Sequence, residues 1–401
     1  MKKVIFVSGS VGLGHVQRDV RIARELSDIC EDLQIVWLAA DPATRVLEEE
    51  GMTLLPECHE RDVGTSIIES VAGDSQSVNM TEILYRVRKE GRYAGAVSSF
   101  LKILERERPD LVIADEAYEL EGVHARMPER PWPPVVFLWD FVKVYPGSRK
   151  IRDRLTARGV NKGWDRAFRS PPDDRWTDIF LGDAEDVPDE RLGWGLVNAR
   201  EGAKRRYKFV GNPLQFDPRD LIDQQAVRER LGYGPERLLI CSAGGTAIGR
   251  DLLALCISAF PRMKAKLPDL RMIVVKGPRM DVDLGPVPEG VKVVGYVPRL
   301  FEHCAAADMA IVQGGGGSTL ELSVLRKSFL YFPLKGHSEQ EINVSRKLER
   351  NNLGIRCSFD GMDPDELARL VLENIDRLVL YPLITHDGCR KAARIIADLM
   401  E

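Results

Sequence analysis

Between residues 310 and 344 an apolar run meets four consecutive glycines, and few sequence features restrict a fold as much. Ala310, Ile311 and Val312 read as a buried strand, Gly314, Gly315, Gly316 and Gly317 end it, and Leu320, Leu322, Val324 and Leu325 resume with helical spacing. A strand that passes through a tight turn into a helix is the building unit of an α/β fold with parallel strands. The turn presents several backbone N–H groups and the positive end of a helix dipole to one point, which suits phosphate. Ser318, followed by Thr319, is placed to cap that helix. A second apolar strand, 329–332, ends at Pro333 and is followed by His337, Glu339, Gln340 and Asn343. Carboxylate and amide groups at a strand end suit sugar hydroxyls, each of which donates and accepts.

The run Q-G-G-G-G-S-T-L-E with the following E-Q-x-x-N resembles the donor-site signature of GT-B glycosyltransferases that use nucleotide sugars. That group includes the UDP-glycosyltransferases and the peptidoglycan N-acetylglucosaminyltransferase. The resemblance implies that Ser318 and the amides of Gly314 to Gly317 hold a diphosphate, with Thr319 beside them. It also implies that Glu321 binds the ribose hydroxyls, and Glu339 with Gln340 the sugar. Gln313 stands where the plant-type motif has a phosphate-contacting histidine, so the resemblance implies a neutral, weaker contact there.

A length of 401 residues calls for two domains. No apolar run is long enough to span a bilayer, and the N-terminal one breaks at Gly9 and reads as a first strand. Seven scattered cysteines, never spaced C-x-x-C, indicate a reducing cytoplasm with neither a disulfide framework nor a zinc site. A net charge of −4 gives no reason to invoke nucleic acid.

The first strand leads into S-G-S-V-G-L-G-H, whose Gly9, Gly12 and Gly14 lack the spacing of a dinucleotide fingerprint. The run G-L-G-H-V-Q-R-D is similar to the first motif of the same GT-B families, where the histidine is the general base; the resemblance nominates His15. A sugar hydroxyl is a poor nucleophile until its proton is taken, and imidazole titrates near working pH. A histidine at a helix N-terminus is expected to stay neutral, as a base must. The strand P-D-L-V-I-A-D-E carries Asp115 and Glu116 at its end; the resemblance gives one of them, Asp115 first, the task of orienting His15. The strand 135–139 ends at Asp140, which with Gly12 and Gly14 is read as lining the acceptor side. Residues 149–169 hold eight Lys or Arg against Asp153 and Asp165, interleaved with Trp164 and Phe168. They form either a solvated helix face or a docking face for an anionic acceptor or membrane.

The G-N-P-L turn at 211–214 resembles the domain crossover of the peptidoglycan enzyme. Beyond it, S-A-G-G-T brings Gly244, Gly245 and Thr246 as a second phosphate-facing turn. The stretch G-Y-V-P-R resembles the start of the plant donor motif, which implies that Tyr296 stacks on the base and the backbone of Val297 pairs with its edge. Arg299 replaces the glutamine of that motif. The expected architecture is α/β, GT-B, with two doubly wound Rossmann-like domains facing across a cleft. The expected domains are an acceptor domain (1–213) with the base, a nucleotide-sugar domain (214–380) and a closing helix (381–401) that crosses back.

The expected activity is inverting transfer of a hexose or N-acetylhexosamine from a UDP-sugar to an acceptor hydroxyl on a natural product, glycan or lipid-linked molecule. No resident cofactor is expected; the UDP-sugar is a co-substrate. With no D-x-D pair to clamp a magnesium diphosphate, metal independence is expected. The expected location is cytoplasmic, with the 149–169 segment as the place for a peripheral contact at the inner membrane face. Two other readings fit the same motifs: a UDP-sugar 2-epimerase-like enzyme and a non-catalytic nucleotide-sugar-binding module.

Overall fold

The structure, a computed structural model, describes residues 1–9, 12–61, 67, 71, 76–90, 92–117, 120, 132–171, 173–245 and 248–401, with the backbone alone at 88 and 92–94. Two compact units divide the chain at Gln215/Phe216 and again at Ile384/Thr385, against 213/214 and 380/381 expected. The second unit also takes in a short piece of the N-terminal half that the sequence did not announce. There Val78 N donates to Lys335 O (2.8 Å), and Gln76 Nε2 donates to Asp251 Oδ2 (3.0 Å).

Among the described residues, seven parallel strands build the first unit's sheet: β1 (Lys2–Val7), β2 (Leu33–Leu38), β3 (Thr53–Leu54), β4 (Leu111–Asp115), β5 (Val135–Trp139), β6 (Trp176–Phe180) and β7 (Lys208–Phe209). Their spatial order is β3-β2-β1-β4-β5-β6-β7. The order reverses between β1 and β4, where Val7 lies beside Ala114. In an open parallel sheet, a reversal of this kind leaves a crevice at the carboxyl ends of the two strands.

β6 is a strand the sequence reading left out. Its W-T-D-I-F run is broken by Thr177 and by Asp178, a carboxylate at a buried position. The sheet tolerates that charge because Asp178 accepts from Trp139 Nε1 (2.8 Å), Trp176 Nε1 (2.9 Å) and Arg206 Nε (2.6 Å).

β8 (Leu238–Ser242), β9 (Arg271–Val275), β10 (Val291–Val294), β11 (Met309–Val312), β12 (Ser328–Tyr331) and β13 (Ile355–Arg356) form the second unit's sheet in the order β10-β9-β8-β11-β12-β13, again all parallel. The reversal falls between β8 and β11, where Ser242 lies beside Val312. β8, β11 and β12 are buried along their whole length, as strands covered on both faces must be.

The closing helix, Gly388–Asp398, belongs to the first unit. It buries Cys389, Ala392, Ala393, Ile396 and Ala397 against the first helix, Leu13–Ile29; the small side chains let the two backbones approach closely. Gly388 N donates to Asn212 O (3.0 Å), and Asn212 Nδ2 donates to Thr385 O (2.9 Å). The G-N-P-L turn thereby anchors the returning chain.

Candidate functional site

In the first unit the candidate residues meet at the β1/β4 reversal. Gly12 N-caps the first helix without a side-chain bond, Gly14 lies in its first turn, and His15 follows. Spacing along the helix sets Arg18 and Asp19 one turn on, close to His15. The ends of β4 and β5 supply Asp115, Glu116 and Asp140. His15 Nδ1 lies 3.1 Å from Asp115 Oδ2, while Nε2 faces Glu116 Oε1 (3.5 Å) and Asp140 Oδ2 (3.7 Å). Of the two acids left open by the sequence, Asp115 lies beside Nδ1 and Glu116 faces Nε2. Glu116 adopts φ +54°, an uncommon conformation for a side-chain-bearing residue. Its carboxylate also requires a glycine opposite: a Cβ at Gly9 would fall 2.7 Å from Glu116 Oε2.

Arg18 is the residue that sequence reasoning passed over in G-L-G-H-V-Q-R-D. Its Nη1 donates to Asp140 Oδ2 (3.0 Å) and its Nη2 to both oxygens of Asp115 (2.9 Å each), and Nη2 lies 2.7 Å from His15 Nδ1. The signal was spacing, since i and i+3 share one helix face. A ring nitrogen can give Asp115 a proton or offer Arg18 a lone pair, but it cannot do both.

Burial and the Arg18 guanidinium disfavour the imidazolium, yet the carboxylates of Glu116 and Asp115 outweigh them and push the His15 pKa from 6.5 up to about 10. The helix N-terminus favours a neutral ring, as expected from sequence, but the surrounding carboxylates reverse that preference. Burial works against the Asp115 carboxylate, but Arg18 and then His15 hold its pKa well below the usual range. Asp19, wholly buried, has its pKa pushed well above that range by burial and then by Asp115; Ser8 Oγ meets its Oδ2 at 2.5 Å.

In the second unit the two glycine turns stand at the β8/β11 reversal, while Glu339 and Gln340 follow β12 and Tyr296 and Val297 follow β10. The helix after β11 runs Gly316–Val324 with Gly315 as N-cap, so Ser318 lies inside its first turn and does not cap it. The glycines themselves enter the helix and start it early. Gly316, Gly317 and Ser318 therefore carry the first N–H groups, those without a partner inside the helix. Gly314, at φ +53°, passes so close to Pro333 that a Cβ would fall 3.1 Å from its Cα.

Thr319 is buried and its Oγ1 donates back to Gly315 O (2.9 Å), which makes it a structural hydroxyl. Gln313 is also buried. With its amide oriented to suit its neighbours, it donates to Ala243 O (3.0 Å) and Ile248 O (3.1 Å). Its amide thus ties the S-A-G-G-T turn to the four-glycine turn. Gly244 and Gly245 lie in that first turn; Thr246 is outside the described residues.

The segment Ser338–Val344 is a π-helix, a form often found at functional sites. Glu339 lies beside the four-glycine turn, its Oε1 3.5 Å from where a Gly316 Cβ would be. Gln340 Oε1 accepts from Leu334 N (3.2 Å), so half of its amide is engaged by backbone. Asn343 is buried, and neither of its amide atoms has a hydrogen bond among the described residues. It is one of the amides that the sequence reading set in this cluster as suited to sugar hydroxyls. Glu321 is half-buried on the first turns of the helix Gly316–Val324. Tyr296 and Val297 follow β10 at the sheet's edge and are half-buried. Arg299, which replaces the motif's glutamine, is engaged locally: its Nε donates to Glu302 Oε1 (2.7 Å) and its guanidinium lies 5.2 Å from the Phe301 ring centre.

The basic segment folds as the helix Ile151–Arg169. Trp164 and Phe168 are buried in the first unit's core, contrary to the reading that interleaved them with surface charge. The apolar groups exposed on this side are Ile151 (76%), Leu155 (64%) and Trp194 (89%); Arg158 Nη1 donates to Trp194 O (2.7 Å). Among the described residues, no helix is long and apolar enough to cross a membrane.

No family model matches the chain. An uncharacterized glycosyltransferase of Methanosarcina acetivorans is 23% identical over 94% of this chain and 90% of its own length. The UDP-N-acetylglucosamine–N-acetylmuramyl-(pentapeptide) pyrophosphoryl-undecaprenol N-acetylglucosamine transferase of Clavibacter sepedonicus is 31% identical over 48% of this chain, a match spanning 55% of that protein. The crystal structure of the glycotransferase of kitacinnamycin superposes with a TM-score of 0.64 at 17% identity, covering 100% of this chain and 99% of that one. The fold is GT-B, and the resemblance read in the motifs is borne out.

Proposed function

We propose, starting from a chain of GT-B glycosyltransferase type, that it transfers a hexose or N-acetylhexosamine from a UDP-sugar to an acceptor hydroxyl with inversion. The observation that carries this reading is the His15–Asp115 pair at the β1/β4 reversal, with Nδ1 turned to the acid and Nε2 turned away from it. Neutral His15 takes the acceptor's O–H proton at Nε2. The freed oxygen pair forms the bond to the anomeric carbon, and the carbon–oxygen bond to the diphosphate breaks with its pair leaving on the diphosphate. Attack on the face opposite the leaving group inverts the centre. Asp115 stabilises the imidazolium that results.

In the second unit, the first-turn amides and Ser318 supply dipoles for the charge that develops on the diphosphate. Glu321 is assigned to the ribose, Glu339, Gln340 and Asn343 to the sugar, and Tyr296 with Val297 to the base. The Clavibacter relative's name, which specifies UDP-N-acetylglucosamine, supports this donor class. Catalysis is metal-independent in this scheme.

Because its carboxylate neighbours favour the imidazolium, His15 is largely protonated at neutral pH; turnover therefore rises with pH above neutrality, towards the value of about 10. The site of action is the cytoplasm, with a peripheral hold on an anionic inner membrane face. The exposed Ile151, Leu155 and Trp194, set among Arg154, Arg158 and Lys162, support that location.

The test is incubation of the purified chain with a panel of UDP-, dTDP- and GDP-sugars, with and without hydroxyl acceptors. A glycoside of inverted anomeric configuration, formed from a UDP-sugar in the presence of EDTA, is expected. A new UDP-sugar formed without acceptor establishes the 2-epimerase instead, and tight binding without any turnover establishes a binding module.

A further inference from the structure

We propose that Arg18 is a positioning residue for the base: its guanidinium is the counter-cation that lets the His15 imidazole release its proton among carboxylates. The inference rests on the reading of His15 as the base. The ring is faced from three elements. The end of β4 brings Asp115 at 3.1 Å from Nδ1 and Glu116 at 3.5 Å from Nε2; the end of β5 brings Asp140 at 3.7 Å from Nε2. The first helix brings Arg18 and, one residue on, Asp19. Burial favours the neutral form of Asp19, so it adds little charge. The closing helix brings Cys389, whose Sγ lies 3.8 Å from Arg18 O and whose thiol, pushed up by burial to about 12, stays uncharged.

Three carboxylates therefore surround one imidazole. With no second cation, the ring would be their sole counter-charge and would hold its proton too tightly to serve as a base. Arg18 supplies that second cation in a form that only a planar fork allows. One nitrogen engages Asp140 (3.0 Å) and the other Asp115 (2.9 Å), while the second also meets His15 Nδ1 at 2.7 Å. With Nδ1 giving its proton to Asp115, Arg18 acts on the ring by its charge, and at that separation a guanidinium and a protonated ring repel each other, which disfavours the imidazolium. Arg18 is half-buried and already engaged with two acids, so its effect on the reaction comes through His15 and not through substrate.

The experiment is an NMR titration of the His15 ring nitrogens in the full chain, paired with turnover against pH, for the wild type, Arg18→Met, Arg18→Lys and the double variant Arg18→Met/Asp140→Asn. In Arg18→Met the ring midpoint and the acidic limb of turnover should both move up by about one pH unit or more. Turnover at neutral pH should fall by about tenfold or more, with the KM for donor unchanged. Arg18→Lys, which keeps a charge but loses the fork, should move the limb upward by less. The double variant removes one charge of each sign and should bring the midpoint back towards the wild type.

A folded Arg18→Met whose His15 midpoint stays at the wild-type value overturns the proposal; if that variant does not fold, an unmoved midpoint in Arg18→Lys does so. The base reading is judged separately. Full turnover in His15→Ala would remove it, while an inactive His15→Ala beside an unmoved Arg18→Met limb would remove the role of Arg18 alone.

Discussion

The two candidate sites stand at the same point of the same topology, yet they are made of different material. At the β1/β4 reversal the groups are side-chain charges that already pair with one another: Arg18 with Asp115 and Asp140, and His15 with Asp115. At the β8/β11 reversal they are first-turn backbone amides, a half-exposed Ser318 and the amide of Asn343, which has no hydrogen bond among the described residues. In the proposed reading the first arrangement tunes a proton, and its parts pair with each other before any ligand arrives. The second presents dipoles and complements a charge that the ligand brings. Changes in the first unit should therefore strike stability and turnover together, and changes in the second should strike ligand affinity alone.

The largest expected effect on stability is that of Asp115→Ala. It leaves the Arg18 guanidinium half-buried beside a lost partner, and breaking such a pair should cost about 3–5 kcal/mol in a denaturant melt. A loss below about 1 kcal/mol would mean that the charges of the first site do not depend on one another.

In the second unit, Glu321→Ala should weaken binding of UDP itself by roughly 1.5–3 kcal/mol in calorimetry, with the melt unchanged. A dissociation constant equal to the wild type would remove Glu321 from the ribose. Glu339→Ala and Asn343→Ala should leave UDP untouched and weaken the UDP-sugar by about 1 kcal/mol each. Equal losses for UDP and UDP-sugar would break the division between nucleotide and sugar.

A subtler contrast concerns pH. Asp19 keeps its proton in the folded chain well above 3.8, whereas the unfolded chain loses it near that value. The unfolded state then binds fewer protons, so this group's contribution to stability is present below about pH 3.8 and declines as pH rises towards the folded value. Asp19→Asn should flatten that decline in melts taken from acid to neutral pH; an unchanged slope would show that the carboxyl is not held neutral. Ile151→Ser/Leu155→Ser should cost little stability, about 0.5 kcal/mol or less, because both side chains are exposed. The same pair should lose sedimentation with anionic vesicles at low salt, and retained sedimentation would leave the helix Ile151–Arg169 as an ordinary solvated face.

Much of the skeleton was legible because buried parallel strands are continuous apolar runs ended by a polar residue or a glycine turn: 310–312, 238–241 and 135–139 were read within a residue or so of their observed bounds. β6 was not legible. Its buried Asp178 reads as a break until two indole N–H groups and Arg206 are seen to satisfy it, and two of those partners, Trp139 and Arg206, are distant in sequence. The Ser318 cap failed for a local reason, since a helix that starts among glycines leaves no outward sign of its first residue. His15 and Asp115 were named from motif and strand end, but the protonation preference of His15 depends on burial and on Arg18, Glu116 and Asp115 converging on one ring. Asn343 was visible as a letter, but its burial without a hydrogen bond is a property of the fold.

The most direct measurement is turnover and UDP affinity in His15→Ala, taken side by side across pH. The account predicts turnover lower by about 10²–10⁴-fold, loss of the limb that rises above neutrality, and a UDP dissociation constant equal to the wild type. Turnover retained at the wild-type level with its pH limb intact would contradict it and pass the role of base to Glu116 or Asp140, the carboxylates that face Nε2.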